Sequence, residues 1–318
     1  GKWGVTVGHF PQSFEFSTVG GWASCRSAGQ ESSGYGRIDK NIVGLRVVTP
    51  RGPMDIRTVP STAAGPDPRQ LFLGSEGVFG IITEITVQIH KKPETMVFDC
   101  YFFPSFAEGI EVFRELEQNG DMPHLARLSN EKETDFGIKQ LGGGNLGKTL
   151  SRYLSLRGQS TPCMAVFAFG GSKLQARSDR EAFAMKLTGK GGVRLGPTAG
   201  MMWIKERFTS PYLRDVMMTS DIAVDTLETC TIWDNAVNLH NHIVEDMEAA
   251  GQKHGTPLYL FCHVSHLYES GCSLYFTYFM KEKKGEELQQ WADVKDAATN
   301  AMEKYAGTCT HHHGVGQD

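Results

Sequence analysis

FPQSFEFSTVGGWASCRSAG, residues Phe10–Gly29, packs hydroxyl, amide and glycine residues between aromatic side chains. Glycines allow backbone N–H groups to approach a ligand closely, and hydroxyl groups can donate hydrogen bonds to phosphate or ring oxygens. By itself, this composition is as typical of an ordinary glycine-rich loop as of a ligand-binding segment. To interpret this segment as a ligand-binding site therefore requires further evidence from elsewhere in the sequence.

A second glycine-rich segment, LFLGSEGVFGIITE, lies at Leu71–Glu84. Gly74, Gly77 and Gly80 bend the chain immediately before a strand rich in β-branched residues, so a backbone edge can lie against a flat ring while the strand anchors it. Two such segments close together indicate a backbone-lined cofactor site rather than two unrelated loops.

The sequence around these segments predicts a small domain of strands and turns. Ile42–Thr49 and Ile81–Ile89 predict two strands, and Pro50–Gly52 after the first predicts a turn. Lys91–Pro93 ends this pattern. We therefore predict a domain boundary near residue 95, with residues 1–95 in the first domain.

Residues 96–318 alternate between strand patterns and amphipathic helix patterns. The predicted strands are Val97–Phe103, Thr161–Phe169, Thr256–Val264 and Ser273–Met280. The predicted helices are Phe106–Gln118, Gln175–Leu187, Asp234–Gln252 and Glu286–Tyr305. This order predicts an α+β domain, an antiparallel sheet with helices on one face. Gly142–Gly147 lacks the strand and the Lys-Ser or Lys-Thr of a phosphate loop, so we interpret it as an ordinary loop.

The composition argues against several classes of function. A formal net charge of -4 at pH 7, without a long run of Lys or Arg, argues against a nucleic-acid partner. No apolar run approaches the roughly 20 residues that a membrane-spanning helix needs. Seven cysteines without a Cys-x-x-Cys pair predict reduced thiols in an intracellular protein, and we expect neither disulfides nor a metal site.

The histidine triplet His311–His313 lies between Thr310 and the sequence Gly314-Val315-Gly316. An expression tag and a loose metal-binding tract are alternative explanations, but tags are longer and lack the glycines that follow here. Adjacent histidines cannot all point to one side, so we expect one or two to face a site while another packs behind. A neutral imidazole can accept a proton from an alcohol near pH 7, which makes the triplet a candidate catalytic group.

The strand pattern at Gly271–Phe279 separates its aromatic residues onto two faces. Tyr275 and Phe279 share one face, whereas Phe276 and Tyr278 lie on the other and are predicted to be aromatic core.

Arg127 and Arg214 occur among apolar residues, where a buried guanidinium requires a carboxylate or phosphate partner. For Arg214, an ion pair with Asp215 or Asp225 is the alternative to ligand binding.

His263 and His266 are three residues apart, which places them on opposite faces of a strand and makes them poor joint metal ligands. We predict a structural or supporting role for both.

These motifs resemble the FAD-linked oxidases of the vanillyl-alcohol oxidase type, which share a PCMH-type flavin domain. Phe16–Trp22 and Gly74–Gly80 match two flavin signatures of that family closely. Within the family, the chain is most similar to the alkyldihydroxyacetonephosphate synthases and their bacterial relatives, over nearly its whole length. The resemblance implies FAD as cofactor, residues 1–95 as the C-terminal part of a PCMH-type FAD-binding domain, and residues 96–318 as the substrate domain.

The resemblance also implies which residues bind FAD. They lie in the two glycine-rich segments, with Arg127 as support on the flavin side: Gln12, Ser13, Phe14, Glu15, Phe16, Ser17, Thr18, Gly20, Gly21, Cys25, Arg26, Ser27, Ala28, Glu76, Gly77, Val78, Phe79, Gly80, Ile81 and Ile82. The family usually has Thr-Arg-Ala-Ser-Gly at Cys25–Gly29 and Thr-Leu at Val78 and Phe79. These replacements preserve backbone contacts better than side-chain contacts.

For the reaction, the resemblance implies exchange of an acyl for an alkyl chain on a dihydroxyacetone phosphate ester, without net redox change. Tyr275 would assist removal of the proton beside the carbonyl, a histidine among His311–His313 would act as base for a long-chain alcohol, and Arg214 would hold the phosphate. Because free tyrosine titrates near pH 10, this role of Tyr275 requires nearby positive charge or a protonated histidine to lower its pKa. Asp225–Thr229 and Trp233 match a wall of the family's site.

Two other functions stay open at this point. An FAD-dependent oxidoreductase acting on an alcohol or 2-hydroxy acid would use the same fold, and a non-catalytic FAD-binding or lipid-binding scaffold is a third hypothesis. We expect an intracellular enzyme, cytoplasmic in a bacterium or peroxisomal in a eukaryote, that forms a homodimer and contacts a membrane surface peripherally. We also expect both ends to be truncated, because the family's first flavin segment would precede Gly1.

Overall fold

The computed structural model describes residues 2–140, 145–198, 200–201, 207–208 and 212–316. The chain divides into two compact units, one of Gly1–Pro93 together with Thr310–Asp318, and one of Glu94–Cys309. The boundary near residue 95 and the assignment of all later residues to the substrate domain stay predictions.

The first unit contains a small antiparallel sheet with the strand order β3-β2-β4, and a separate pair of short strands, β1 and β5. These strands are β1 (Val5–Thr6), β2 (Ile42–Thr49), β3 (Gly52–Ile56), β4 (Ile81–Val87) and β5 (His90–Lys91). Its helices are α1 (Val19–Cys25), α2 (Ser32–Tyr35), α3 (Ile38–Asn41) and α4 (Arg69–Phe72). The turn predicted at Pro50–Gly52 joins β2 to β3, since Thr49 pairs with Gly52.

The core of the first unit packs helix residues against the inward face of β2. Ala23, Ile38, Leu45 and Val47 are among the buried members of this cluster. The pairing of β4 with β2 is irregular between Arg46 and Val47, and from Glu84 to Val87 exposed and half-buried residues alternate along β4.

The second unit is built on an antiparallel sheet with the order β10-β13-β11-β7-β8-β6-β9, and β12 pairs with β13. Its strands are β6 (Thr95–Phe103), β7 (Leu125–Ser129), β8 (Cys163–Gly171), β9 (Val193–Arg194), β10 (Ile222–Ile232), β11 (Tyr259–Val264), β12 (Leu267–Tyr268) and β13 (Gly271–Lys281). The predicted fold class is confirmed. The sequence analysis did not predict β7 and β10.

The helices of the second unit are α5 (Phe106–Gln118), α6 (Glu131–Gln140), α7 (Asn145–Leu156), α8 (Lys173–Lys186), α9 (Leu213–Met218), α10 (Trp233–Lys253) and α11 (Glu287–Lys304). Gly142–Gly144 of the predicted loop lie outside the described residues, whereas α7 begins at Asn145. Among the described helices, none is both long and apolar enough to cross a membrane.

The main core lies on one face of the large sheet, where α5, α8, α10 and α11 pack. Phe276 and Tyr278 belong to this core, as predicted from the alternation of β13. The prediction that all helices cover one face was wrong, because α6 and α7 pack on the opposite face through Ile138 and Leu154. That opposite face also carries the side chains of the candidate site.

Candidate active site

Tyr275, His263 and Arg127 meet on adjacent strands of the second unit. Tyr275 on β13 pairs directly across from His263 on β11, and their rings stack with centroids 4.6 Å apart and an angle of 20°. The neighbouring strand β7 supplies Arg127, whose guanidinium lies 2.9 Å from Nδ1 of His263. Because a guanidinium can only donate, Nδ1 of His263 is the acceptor in this contact.

Glu133 joins this group from helix α6. The helix begins after Asn130, whose side-chain Oδ1 accepts a hydrogen bond from the backbone N–H of Glu133 and so fixes the first turn. The Glu133 carboxylate pairs with Arg127 at 2.6 Å and lies 3.4 Å from Nδ1 of His263. Although burial opposes ionisation, Arg127 and His263 lower the pKa of Glu133 to about 2.

The Tyr275 phenol is held in its neutral form within the second unit. Burial raises the pKa of Tyr275 to about 12, a hydrogen bond with Thr226 and the charge of Arg127 oppose this, and Glu228 and Asp225 add to it. The sequence analysis required positive charge to lower this pKa. That requirement is not met within the second unit. Burial and the two carboxylates raise the pKa of Tyr275 by more than Arg127 lowers it.

His263 is likewise neutral, since burial and the positive charge of Arg127 lower its pKa. Glu228, which pairs in register with Tyr275, lies 3.8 Å from Nε2 of His266. Both residues are buried. The predicted supporting role of His263 and His266 is consistent with these contacts and stays a prediction.

The structure places Asp225 and Trp233 differently from what the sequence predicted. Asp225 accepts a hydrogen bond from Trp291 Nε1 at 2.8 Å and lies 3.6 Å from Lys295, rather than pairing with Arg214. Trp233 belongs to the main core on the helix-covered face, so its interpretation as a site wall was wrong.

The apolar neighbours of Arg214 in the sequence predicted a buried side chain, and this prediction was wrong. Arg214 lies on the short helix α9 and is exposed. In the part of the chain that the structure describes, it forms no ion pair with Asp215 or Asp225. Its guanidinium is therefore accessible to an anionic ligand.

The two glycine-rich segments lie together in the first unit. Helix α1 begins after Thr18, whose Oγ1 accepts from Gly21 N at 3.0 Å, and ends at Arg26, which adopts a left-handed conformation with φ of 52°. The backbone N–H of Gly74 donates to Ala23 O at 3.0 Å, and that of Glu76 donates to Ser24 O at 3.1 Å. These hydrogen bonds join the two glycine-rich segments into one continuous backbone surface.

Arg26 and Gly74 reinforce this junction. The Arg26 side chain donates to the carbonyl of Leu73 at 2.9 Å and to that of Gln70 at 3.2 Å. Gly74 has φ of 77°, and a Cβ there would lie 2.8 Å from the Arg26 side chain. Arg26 is thus a link between the two segments as well as a predicted contact to FAD.

Several predicted cofactor residues turn their side chains inward instead. Ser17 Oγ donates to Ser13 O and accepts from Trp22 Nε1, and Ser27 Oγ lies 2.7 Å from Nε2 of His9. Ala28 is buried. These side chains stabilise the segment, so any contact with a ligand there falls to the backbone.

The remaining surface of the two segments fits a flat, partly apolar cofactor. Phe16, Val78, Phe79 and Ile81 are exposed, at 78%, 77%, 55% and 65%. Gly77 has φ of 89°, and no atom lies within 4 Å of the position that a Cβ would occupy. Open backbone beside exposed apolar side chains is what an isoalloxazine ring requires.

The histidine triplet belongs to the first unit and is tied to the second glycine-rich segment. Glu76 accepts hydrogen bonds from Val315 N at 2.5 Å and Gly316 N at 3.0 Å, and Arg37 donates to His311 O at 3.3 Å. These contacts hold the triplet in a defined conformation.

Within the triplet, His311 is buried, His312 is half-buried and His313 is exposed, as expected for adjacent side chains. Nδ1 of His311 and Nδ1 of His312 are 3.0 Å apart, so one ring donates and the other accepts.

His9 is a residue that the sequence analysis missed. It is buried, packs edge-on against Trp22 at 4.8 Å, and shares a hydrogen bond with Ser27. Burial and the nearby His312 lower the pKa of His9 to about 4, so the ring is neutral. A lone histidine beside a loop carries no spacing signal, and only the fold reveals its proximity to His312.

Comparison with known families decides what these features belong to. The model for the C-terminal domain of FAD linked oxidases matches residues 92–318, and the model for an FAD binding domain matches residues 2–55. The chain belongs to the FAD-linked oxidase family. FAD is therefore its cofactor, in agreement with the glycine-rich segments of the first unit.

Relatives that are similar to this chain carry the names of different enzymes. Alkyldihydroxyacetonephosphate synthase of Dictyostelium discoideum is 30% identical over 100% of this chain and 53% of the relative. A solved alkyldihydroxyacetonephosphate synthase has a TM-score of 0.82 and 29% identity, covering 96% of this chain and 56% of that one. The mitochondrial D-lactate dehydrogenase [cytochrome] of Arabidopsis thaliana is 24% identical over 94% of this chain and 50% of the relative. The chain thus spans about half the length of the curated relatives it matches.

Proposed function

We propose that this chain is part of an enzyme of the alkyldihydroxyacetonephosphate synthase type, which exchanges an acyl for an alkyl chain on a glycerone phosphate ester. The observation that carries the proposal is the group around Tyr275, a buried phenol stacked on a neutral histidine and bordered by the Arg127–Glu133 ion pair. Its support from the family is the likeness to the synthase along the whole chain. When bound, FAD supplies an electron-accepting ring beside the substrate, without net redox change.

Tyr275 exchanges the proton on the substrate carbon beside the carbonyl. Its ring is fixed from one side by His263, and Arg127 is the cation that favours the phenolate. Arg127 is in turn held by Glu133 at 2.6 Å, so the charge next to Tyr275 has a fixed position.

The histidine triplet activates the incoming long-chain alcohol. His311 and His312 share a proton between their Nδ1 atoms, which lets one ring take up the alcohol proton while the other stabilises the resulting charge. Arg214, exposed on α9, binds the phosphate of the substrate through its planar guanidinium.

The decisive experiment supplies the full-length protein and FAD with a labelled acyl ester of dihydroxyacetone phosphate and a fatty alcohol. We expect an ether product and release of the fatty acid. Turnover of a 2-hydroxy acid with an electron acceptor, without ether product, would contradict the proposal.

An FAD-dependent oxidoreductase is the second candidate, favoured by the likeness to D-lactate dehydrogenase along nearly the whole chain. The two candidates differ in one simple measurement. Anaerobic addition of a 2-hydroxy acid bleaches the flavin of a dehydrogenase but leaves the flavin of a synthase oxidised.

The surroundings of the enzyme are part of the proposal. We place the full-length protein inside the cell, in the cytoplasm of a bacterium or the peroxisome of a eukaryote, as a homodimer that contacts a membrane surface peripherally. Cell fractionation, light scattering and vesicle flotation test these three statements separately.

A further inference from the structure

Asp39, on helix α3, binds two arginines of the first unit. Arg37 pairs with its carboxylate in two places, Nε with Oδ1 at 2.9 Å and Nη2 with Oδ2 at 2.8 Å. Arg26 also donates to Oδ2, through Nη1 at 3.4 Å. Although burial opposes ionisation, the hydrogen bond and charge of Arg37, together with the charge of Arg26, lower the pKa of Asp39. Asp39 is therefore a carboxylate at neutral pH, with only 6% of its side chain exposed.

Each arginine also bonds a different part of the unit. Arg26 donates to the carbonyl groups of Leu73 and Gln70, at 2.9 and 3.2 Å, where the two glycine-rich segments meet. Arg37 donates through Nη1 to the carbonyl of His311 at 3.3 Å. The carboxylate between the two arginines thus connects the junction of the glycine-rich segments to the first residue of the histidine triplet.

The backbone fixes the place of Asp39. Helix α3 begins at Ile38, whose N–H donates to the carbonyl of Ser27, in the first glycine-rich segment, at 3.1 Å. At the other end of α3, the buried side chain of Asn41 donates to the carbonyl of Tyr35 at 2.9 Å. Because α3 is bonded to the first segment, its carboxylate keeps a set position relative to the junction.

The histidine triplet is held from both ends by carboxylates. Glu76 accepts hydrogen bonds directly from the amides that follow the triplet. Asp39 acts on the first residue of the triplet through Arg37. That contact falls on the backbone carbonyl of His311, so it sets the path of the chain rather than the protonation of a ring.

We propose that Asp39 is a positioning residue that couples FAD binding to the conformation of the histidine triplet. FAD bound along the two glycine-rich segments holds their junction together. Asp39 transmits this constraint through Arg37 to the carbonyl of His311, so the triplet is held more firmly when the cofactor is present. The inference rests on FAD as the cofactor and is independent of the reaction proposed above.

Amide hydrogen exchange of the full-length protein, with and without FAD, tests this coupling. The reporter is His313, whose N–H donates to Oγ1 of Thr310 across the turn that contains His311. In the unaltered protein, FAD should slow exchange at His313 about tenfold, within the usual range for coupling between two sites. In Asp39→Asn this exchange should be fast, and FAD should change it less than about twofold.

The loss expected in Asp39→Asn follows from charge. The neutral amide leaves the guanidinium groups of Arg26 and Arg37 close together, without the carboxylate charge between them. Arg26 is anchored by two carbonyl groups, so we expect Arg37 to turn away and to release His311. Arg37→Gln removes the same contact while Asp39 keeps Arg26 as its partner, so it should give the same loss even if Asp39→Asn folds poorly.

Two controls separate coupling from a general loosening of the unit. Asp55→Asn removes an exposed partner of Arg46 on the small sheet, and it should preserve the full effect of FAD at His313. Within Asp39→Asn, the two amides that Glu76 binds should keep their protection, because that contact is unaltered.

FAD affinity provides a reciprocal measurement. Because coupling acts equally in both directions, Arg37→Gln should weaken FAD binding by about the factor by which FAD slows exchange at His313 in the unaltered protein. A fluorescence titration of the FAD-free protein measures this affinity. The proposal is overturned if FAD has no effect on His313 in the unaltered protein, or if both variants retain the effect. Exchange that is faster by an equal factor with and without FAD would also overturn it, since Asp39 would then serve the fold alone.

Discussion

Tyr275 is surrounded by groups that act on its charge in opposite directions. Burial and the carboxylates of Glu228 and Asp225 favour the neutral phenol, while Arg127 favours the phenolate. With a pKa of about 12, the free residue is protonated at neutral pH. The phenolate fraction therefore rises about tenfold with each pH unit, up to that pKa.

This predicts the pH dependence of the proton exchange that we assign to Tyr275. The rate at which the hydrogen beside the carbonyl exchanges with solvent should keep rising between about pH 7 and pH 10, because the phenolate is the reactive form. Deuterium incorporation followed by mass spectrometry measures it in the full-length enzyme. A rate that is already constant from pH 7 upward would contradict a phenolate base with this pKa.

Two substitutions separate the role of Tyr275 from that of the histidine triplet. Tyr275→Phe should abolish exchange of the hydrogen beside the carbonyl, whereas His312→Ala should mainly block entry of the alcohol. Each loss should be on the order of 10² to 10⁴, the range for a positioned acid or base.

Flavin absorbance is the control for this pair of variants. Both proteins should retain FAD, because neither residue is among those we assign to cofactor binding. Normal hydrogen exchange in Tyr275→Phe would assign the tyrosine to the aromatic core. Loss of flavin in His312→Ala would assign the triplet a structural role instead.

At the scale of elements, Glu133 connects helix α6 to strands β7 and β11. Its carboxylate pairs with Arg127 and lies near His263, with only 19% of its side chain exposed. Removal of one partner from such a group leaves a charge without compensation in a poorly solvated place.

Glu133→Gln should therefore lower the free energy of unfolding by about 3 kcal/mol at pH 7, the equivalent of a pKa lowered from 4.5 to about 2. A lowered carboxyl pKa stabilises the fold above pH 4.5, and this stabilisation is lost as the pH falls toward 2. Urea unfolding at pH 7 and pH 3 should show a smaller difference at pH 3.

The control for Glu133→Gln is Glu111→Gln, which removes an exposed partner of Arg114. We expect a change within about 1 kcal/mol for this surface pair at either pH. Equal effects of the two substitutions would contradict the connecting role of Glu133.

A second connection between elements runs through Glu76. Its two carboxylate oxygens accept the backbone N–H groups of Val315 and Gly316, and Gly314 approaches it closely with φ of 87°. Glu76→Ala should speed amide hydrogen exchange at Val315 and Gly316 at least tenfold, while β2 keeps its protection. Exchange followed by mass spectrometry checks this, and unchanged protection at both amides would show that other contacts hold the segment.

For the whole molecule, the cysteines provide a simple map of exposure. Cys309 is exposed, Cys25 and Cys230 are intermediate, and the remaining four are buried and unpaired: Cys100, Cys163, Cys262 and Cys272. We expect brief treatment with iodoacetamide to label Cys309 first and the buried four only after unfolding. Peptide mapping by mass spectrometry measures this. Rapid labelling of Cys262 in the folded protein would show that the large sheet opens more readily than its packing suggests.

Much of this architecture could be predicted because it depends on local patterns. The strand β13 and the helix α10 have clear periodicity, and the two glycine-rich segments have a distinctive order of residues. The group around Tyr275 was only partly predictable, because Glu133 and His263 are distant in sequence and meet only when α6 and β11 pack. Likewise, the apolar neighbours of Arg214 in the sequence suggested a buried side chain, whereas the structure shows an exposed one.

The discontinuous first unit has a consequence for synthesis of the protein. Thr310–Asp318 pack with Gly1–Pro93, while the 216 residues of Glu94–Cys309 form the other unit. A ribosome that adds about 5 to 20 residues per second takes roughly 10 to 40 s to make that intervening stretch. Throughout this interval the chain has not yet made the Val315 and Gly316 amides that donate to Glu76 or the His311 carbonyl that accepts from Arg37, so the second unit can fold before these contacts form. Chaperones that act on the nascent chain would therefore meet the first unit before the histidine triplet has joined it.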